Sequence, residues 1–112
     1  VKGHHLGKEI GYPTINVAGE YKIAGGVYAA RVYIGDEAYG GALYYGPNKL
    51  AGDERFTLEV YLLDFNGNLY DETVKIDVYN KIRDVMDFKD GEQLKEQIKK
   101  DVDEIKLIFK NA

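Results

Sequence analysis

The sequence predicts a mainly β domain, a small antiparallel barrel of short strands followed by one amphipathic α-helix. Apolar residues alternate with period two through roughly the first two thirds of the chain, and the final stretch switches to a helical period. Thirteen glycines and ten tyrosines suit many short, bent strands better than a sandwich with flat open edges.

The elements follow in order. In Gly11-Tyr12-Pro13-Thr14-Ile15-Asn16, Pro13 fixes its own φ and pushes Tyr12 into an extended conformation, so an extended chain puts Thr14 and Asn16 on one face. Gly26 to Ile34 reads as a strand, with Tyr28, Ala30, Val32 and Ile34 on one side and Val27, Ala29, Arg31 and Tyr33 on the other. The Gly35-Asp36-Glu37 turn joins it to Ala38–Tyr45 as a hairpin. Phe56, Leu58, Val60 and Leu62 make the next apolar face. Asn66-Gly67 then predicts a second hairpin into Leu69 to Val78, with Tyr70, Val74, Ile76 and Val78 inward. Finally, Asp90 and Gln93 have capping-box spacing, and Leu94, Ile98, Val102, Ile105 and Phe109 repeat as one helix face. Glu96 and Lys100 form a solvated i,i+4 pair on its outer side, with no function assigned.

A chain of 112 residues, 45% of them hydrophobic, predicts one domain over residues 1–112 with a single modest core. A net charge of -4 and a pI near 5.1 argue against a phosphate-backbone binder, so no nucleic-acid partner is expected. The absence of cysteine excludes disulfides and thiolate metal sites and fits a reducing cytoplasm, the expected location. No run approaches the ~20 apolar residues of a membrane span, so no membrane partner is expected. The chain opens at Val1 and not at methionine, which leaves room for a leader or an upstream domain.

Chemistry concentrates at few positions. The Thr14 hydroxyl and the Asn16 amide carbonyl are neutral hard oxygens, suited to a magnesium ion that keeps most of its waters and takes its other ligands from nucleotide phosphates. From those six residues alone, a simple strand start is the plainer reading. Glu59 lies between Leu58 and Val60, so it points away from the core with Thr57 and Tyr61, where periodicity alone makes it a solvated strand residue. Gly3, Gly7 and Lys8 form a glycine-bearing segment that lacks the P-loop pattern, and locally a flexible turn and a phosphate-closing loop weigh equally. His4 and His5 read as solvated loop histidines, since no acidic cluster or cysteine accompanies them.

Taken together, Gly3, Gly7, Lys8, the Gly11 to Asn16 run, Gly26-Val27-Tyr28, Tyr39-Gly40-Gly41, Gly46, Leu58-Glu59-Val60-Tyr61-Leu62-Leu63-Asp64-Phe65, Leu69-Tyr70 and Ile82-Arg83-Asp84 before Phe88 resemble the riboflavin kinase domain, in order and spacing over nearly the whole chain. That resemblance implies a six-stranded antiparallel Greek-key β-barrel with one C-terminal α-helix. It implies transfer of the γ-phosphate of Mg-ATP to the ribityl 5'-hydroxyl of riboflavin, giving FMN and ADP. Carried over residue by residue, Thr14 and Asn16 hold Mg2+ and nucleotide, Gly3, Gly7, Lys8, Gly11 and Pro13 belong to the nucleotide side, and Glu59 is the catalytic base. Leu62, Arg83, Asp84 and Phe88 belong to the substrate side, Arg83 as a phosphate contact and Phe88 more as the anchor of the helix. An adenylyltransferase domain upstream in the native chain is a further implication. The chain departs from the family pattern at Tyr44-Tyr45-Gly46, Pro47-Asn48, Tyr61 and Asp71, and its connection from Val17 to Gly25 is short. Those departures fall on the flavin side, so the alternative is a non-catalytic flavin- or nucleotide-binding module on the same barrel.

Overall fold

The computed structural model describes residues 4–6, 14–17, 19–48, 50, 52–65 and 73–110. Gly3, Gly7, Lys8, Gly11, Pro13 and the Asn66-Gly67 turn lie outside the described residues. The described chain forms β1 His4–Leu6, β2 Thr14–Val17, β3 Gly26–Ile34, β4 Glu37–Asn48, β5 Asp53–Leu62, β6 Val74–Arg83 and α1 Gly91–Lys110. His4 and His5, expected in a loop, are in β1 opposite Asn16 and Ile15, because β2 offers them the edge that β5 does not use.

The strands make one antiparallel sheet in the order β1-β2-β5-β4-β3-β6. The first expected hairpin is present: β3 spans Gly26–Ile34 as predicted, and Ile34 pairs with Glu37 across a two-residue loop. Gly35 has φ 59°, a value that a two-residue hairpin loop needs and that glycine adopts without strain. The second expected hairpin is corrected. From Leu58 to Tyr61, β5 has β2 on one edge and β4 on the other, and among the described residues no ladder joins β5 to β6. β6 instead pairs with β3, from Ile34↔Val74 to Val27↔Arg83, which gives β3 to β6 the Greek-key order.

The barrel expectation holds only in coarser form, as a mainly β antiparallel sheet with one C-terminal helix. The sheet is carried by β2 to β6, with three-residue β1 at one margin, and among the described residues no ladder joins β1 to β6. The sheet is therefore open. Curling does what closure would do: register shifts between Val27 and Ala30 bend the β3·β6 ladder, and Ile15 and Val17 of β2 share an apolar cluster with Val74 of β6. Tyr28, Ala30, Val32, Leu43, Leu58, Val60 and Leu62 complete that concave core, as their period-two spacing predicts.

The opposite face is covered by α1. Asp90 Oδ1 accepts the Gln93 N–H at 3.0 Å, while Gln93 Oε1 accepts the Lys89 N–H at 2.9 Å, one residue before the position a standard capping box uses. From this capped start, Ile98, Val102 and Ile105 pack on Ala29, Ala42, Tyr61 and Leu63. Each such aliphatic side chain contributes about 1.5–3 kcal/mol by burial. At the far end Phe109 meets Tyr79 edge to face at 5.6 Å, and the Arg31 guanidinium lies 4.2 Å from its ring centre.

Candidate active site

Strand pairing assembles the site. Asn16 lies opposite Glu59, Glu59 opposite Tyr44, Tyr44 opposite Val27, and Val27 opposite Arg83. Directly opposed residues project to the same face, so one cross-strand row carries an amide, a carboxylate, a phenol and a guanidinium. The neighbouring row on that face is Thr14, Tyr61, Ala42 and Ala29. Above the two rows is a cavity of about 380 Å³, into which Thr14, Asn16, Tyr44, Glu59 and Arg83 open. Met86 and Phe88, from the irregular segment before α1, and Leu94 and Ile98 of the helix form its apolar side.

Asn16 Oδ1 is buried with no hydrogen-bond partner. Buried carbonyl oxygens in folded proteins are almost always paired, so this atom calls for a cation or a donor from a ligand. Thr14, two residues away on the same face, is 3% exposed. These two neutral oxygens fit a hard, hydrated cation. Among the described residues no group of three histidine, aspartate or glutamate side chains offers a competing site.

Glu59 is half-buried, and the Tyr61 hydroxyl donates to its Oε2 at 3.3 Å. The Tyr44 hydroxyl donates to the Pro47 carbonyl. Burial holds the Tyr44 phenol above its ordinary pKa, the Arg83 guanidinium pulls it down and Glu59 pushes it up, so the phenol senses both charges of the row.

Three sequence expectations change here. Leu62 does not line the cavity; it is 1% exposed in the concave core with Leu58 and Val60, because period two places it opposite to Glu59. The Asp84 carboxylate is on the surface, where the Lys81 ammonium holds it below the usual carboxylate range, and only its backbone carbonyl reaches the site's edge. Arg83, expected at a phosphate, is engaged by protein. Its Nε donates to both oxygens of Asp101 at 3.0 and 3.1 Å, Nη2 to Oδ2 at 2.8 Å and Nη1 to the Asp84 carbonyl at 3.1 Å. Gln97 adds a hydrogen bond to Asp101 Oδ1 at 3.0 Å, and the Phe88 ring centre lies 5.8 Å from the guanidinium. Phe88 itself lines the cavity.

Asp101 is the residue that sequence reasoning missed. It falls beside Val102 and one turn after Ile98 on the buried stripe of α1, and an acid in such a stripe requires a partner. Thr14, Asn16 and Glu59 are brought together as expected, whereas the glycine and lysine positions of the nucleotide side lie outside the described residues.

Among the described residues no helix is long and apolar enough to cross a membrane. A family model described as flavokinase, riboflavin kinase, matches residues 1–109. A bifunctional riboflavin kinase/FMN adenylyltransferase of Buchnera aphidicola subsp. Schizaphis graminum is 34% identical over 97% of this chain and 36% of its own length. The protein of the same description from Haemophilus influenzae gives the same three figures. A solved structure described as a macrolide-efflux protein from Streptococcus pneumoniae superimposes with a TM-score of 0.72 at 36% identity, covering 92% of this chain and 35% of that one. The chain spans about a third of the length of the relatives it matches. With a match that runs through every strand and nearly all of the helix, the chain belongs to the flavokinase family, the riboflavin kinases.

Proposed function

We propose that this chain phosphorylates riboflavin, moving the γ-phosphoryl group of ATP to the ribityl 5'-hydroxyl and releasing FMN and ADP. The observation that carries the reading is the unpartnered Asn16 oxygen, which opens into the same cavity as Glu59 in a chain of this family. Phosphoryl transfer asks a protein mainly for positioning, charge neutralisation and an acceptor for the nucleophile's proton.

Glu59 takes the proton of the 5'-hydroxyl as its oxygen bonds to the γ-phosphorus and the bond from that phosphorus to the ADP oxygen breaks. Tyr61, donating to Oε2, orients the carboxylate, and direct attack by the hydroxyl oxygen needs no covalent enzyme intermediate. Thr14 and Asn16 would hold Mg2+, which supplies neutralisation of phosphate charge when bound with the nucleotide. Gly3, Gly7, Lys8, Gly11 and Pro13 keep their nucleotide-side role as part of the proposal. Met86 and Phe88 offer apolar surface to a flat ring system. The two bifunctional relatives pair this activity by name with an FMN adenylyltransferase, which would consume the FMN made here. The reading accordingly extends to an adenylyltransferase unit upstream in the native chain and to a cytoplasmic setting.

Incubation with riboflavin, magnesium and ATP, followed by chromatography, should yield FMN. Glu59→Gln should leave the melting temperature near that of the unchanged chain and lower turnover by about 10²–10⁴-fold. Near-normal FMN formation by that variant removes Glu59 from the mechanism, and flavin binding without FMN formation reduces the unchanged chain to a binding module.

A further inference from the structure

We infer that Asp101, on the helix and outside the reacting groups, is a positioning residue that fixes the flavin side of the site through Arg83; this rests on the riboflavin kinase reading. The Asp101 side chain is 4% exposed and stands in an otherwise apolar stripe. A buried ion pair is rarely more stabilising than well-packed aliphatic residues of the same volume. What the pair supplies is geometry.

The Arg83 guanidinium ties together three parts of the chain. It ends β6, grips α1 through both oxygens of Asp101, and donates to the carbonyl of Asp84, the first residue of the strap between β6 and α1. Its face also lies against Phe88, four residues further along the strap. That strap has no strand or helix of its own from residue 84 to residue 88, yet it supplies Met86 and Phe88 to the cavity wall. Besides this guanidinium, the side chain of the strap's first residue has, among the described residues, the exposed Lys81–Asp84 ion pair, which is worth little.

A guanidinium is planar, and two carboxylate oxygens fix the orientation of that plane as one cannot. Without the Asp101 charge the fork is free to turn, and the Asp84 and Phe88 contacts go with it. Thr14 and Asn16 stand on β2 at the other end of the cross-strand rows, with Glu59 and Tyr44 between Asn16 and Arg83, so the change falls first on the flavin side.

Three measurements on the 112-residue chain test this: trypsin cleavage after Lys89 without ligand, the riboflavin dissociation constant from flavin fluorescence, and separate KM values for riboflavin and ATP. Asp101→Asn should speed cleavage after Lys89 about tenfold, with cleavage after Lys75 unchanged. It should raise riboflavin Kd and KM about tenfold and keep the ATP KM within twofold. Arg83→Lys, which keeps the charge pair and loses the fork, should show the same split if the first variant does not fold, and Glu96→Gln on the exposed helix face should show none of it. A variant that only melts earlier, with cleavage after Lys89 and riboflavin affinity unchanged, overturns the inference. Should the unchanged chain bind riboflavin yet make no FMN, the kinase reading fails while the cleavage and binding measurements still decide the role of Asp101. Absence of riboflavin binding by the unchanged chain overturns both.

Discussion

Asn16→Leu should make the ligand-free protein more stable while removing its response to nucleotide. Leucine keeps the branching at Cγ and replaces a buried oxygen that has no hydrogen-bond partner. An unsatisfied buried acceptor costs about 1–3 kcal/mol, and that cost disappears in the variant. Unfolding entropy of about 2.1 cal/mol/K per residue over 112 residues makes each 1 kcal/mol worth about 4 °C, so the melting temperature should rise by about 4–12 °C. Magnesium-ATP at a hundredfold its Kd should stabilise the unchanged chain by about 2.7 kcal/mol, or about 11 °C, and the variant by far less. Two melts of each protein, with and without magnesium-ATP, give all four values. A ligand-free variant that melts below the unchanged chain would show that the Asn16 oxygen is satisfied in solution. A variant that keeps the full shift would show that this oxygen does not hold the metal-nucleotide.

Two further predictions concern the frame around the site. Gly26 has φ 148°, and a Cβ there would collide with the Arg83 carbonyl, a backbone atom that cannot rotate away. Gly26→Ala should therefore cost about 2–4 kcal/mol in urea unfolding, and a cost under 0.5 kcal/mol would mean that the β3·β6 ladder yields easily. The Tyr44 phenol is raised from 10.0, chiefly by burial, so folding favours its neutral form. Its contribution is complete below pH 10 and is lost as pH rises through the folded-state pKa. Stability should accordingly fall more steeply above pH 10 in the unchanged chain than in Tyr44→Phe, and parallel profiles by urea titration would refute that linkage.

The parts of the fold that were legible in the sequence are those set by local pattern. In Gly26 to Ile34, Tyr28, Ala30 and Val32 enter one apolar cluster and Ala29 the other, and Gly35 takes the positive φ of the turn, so the strand and its hairpin followed from spacing. The helix followed from Asp90, Gln93 and a five-residue stripe. What local pattern does not encode is which edges are already taken. The segment after Asn66-Gly67 looks like a hairpin partner for β5, but β2 and β4 occupy β5, and β6 crosses to β3. The same limit applies to the site. Thr14, Asn16 and Glu59 were legible as types, and their convergence depends on the register Asn16↔Glu59, which no residue announces by itself. The Asp101 partner of Arg83 was not legible, because it is eighteen positions away on another element.

The position of the cavity follows from how far the helix reaches across the sheet. The row Thr14, Tyr61, Ala42 and Ala29 lies at the edge of the ground that α1 covers, and its small alanines let Ile98 and Val102 approach closely. One pleat step further, the row Asn16, Glu59, Tyr44 and Val27 faces the cavity, walled by Met86 and Phe88 of the strap and by Leu94 and Ile98 of the helix. Polar groups under the helix need partners within the protein, whereas those of the second row, and Thr14 at the end of the first, open into the cavity and can be met by a ligand. Tyr61 joins the two rows: its ring packs under α1 in the helix-covered cluster while its hydroxyl reaches Glu59. Through Tyr61 the packing of the helix bears on the attitude of the carboxylate. This gives the curled sheet an asymmetric second face, dry where α1 lies and receptive where it stops.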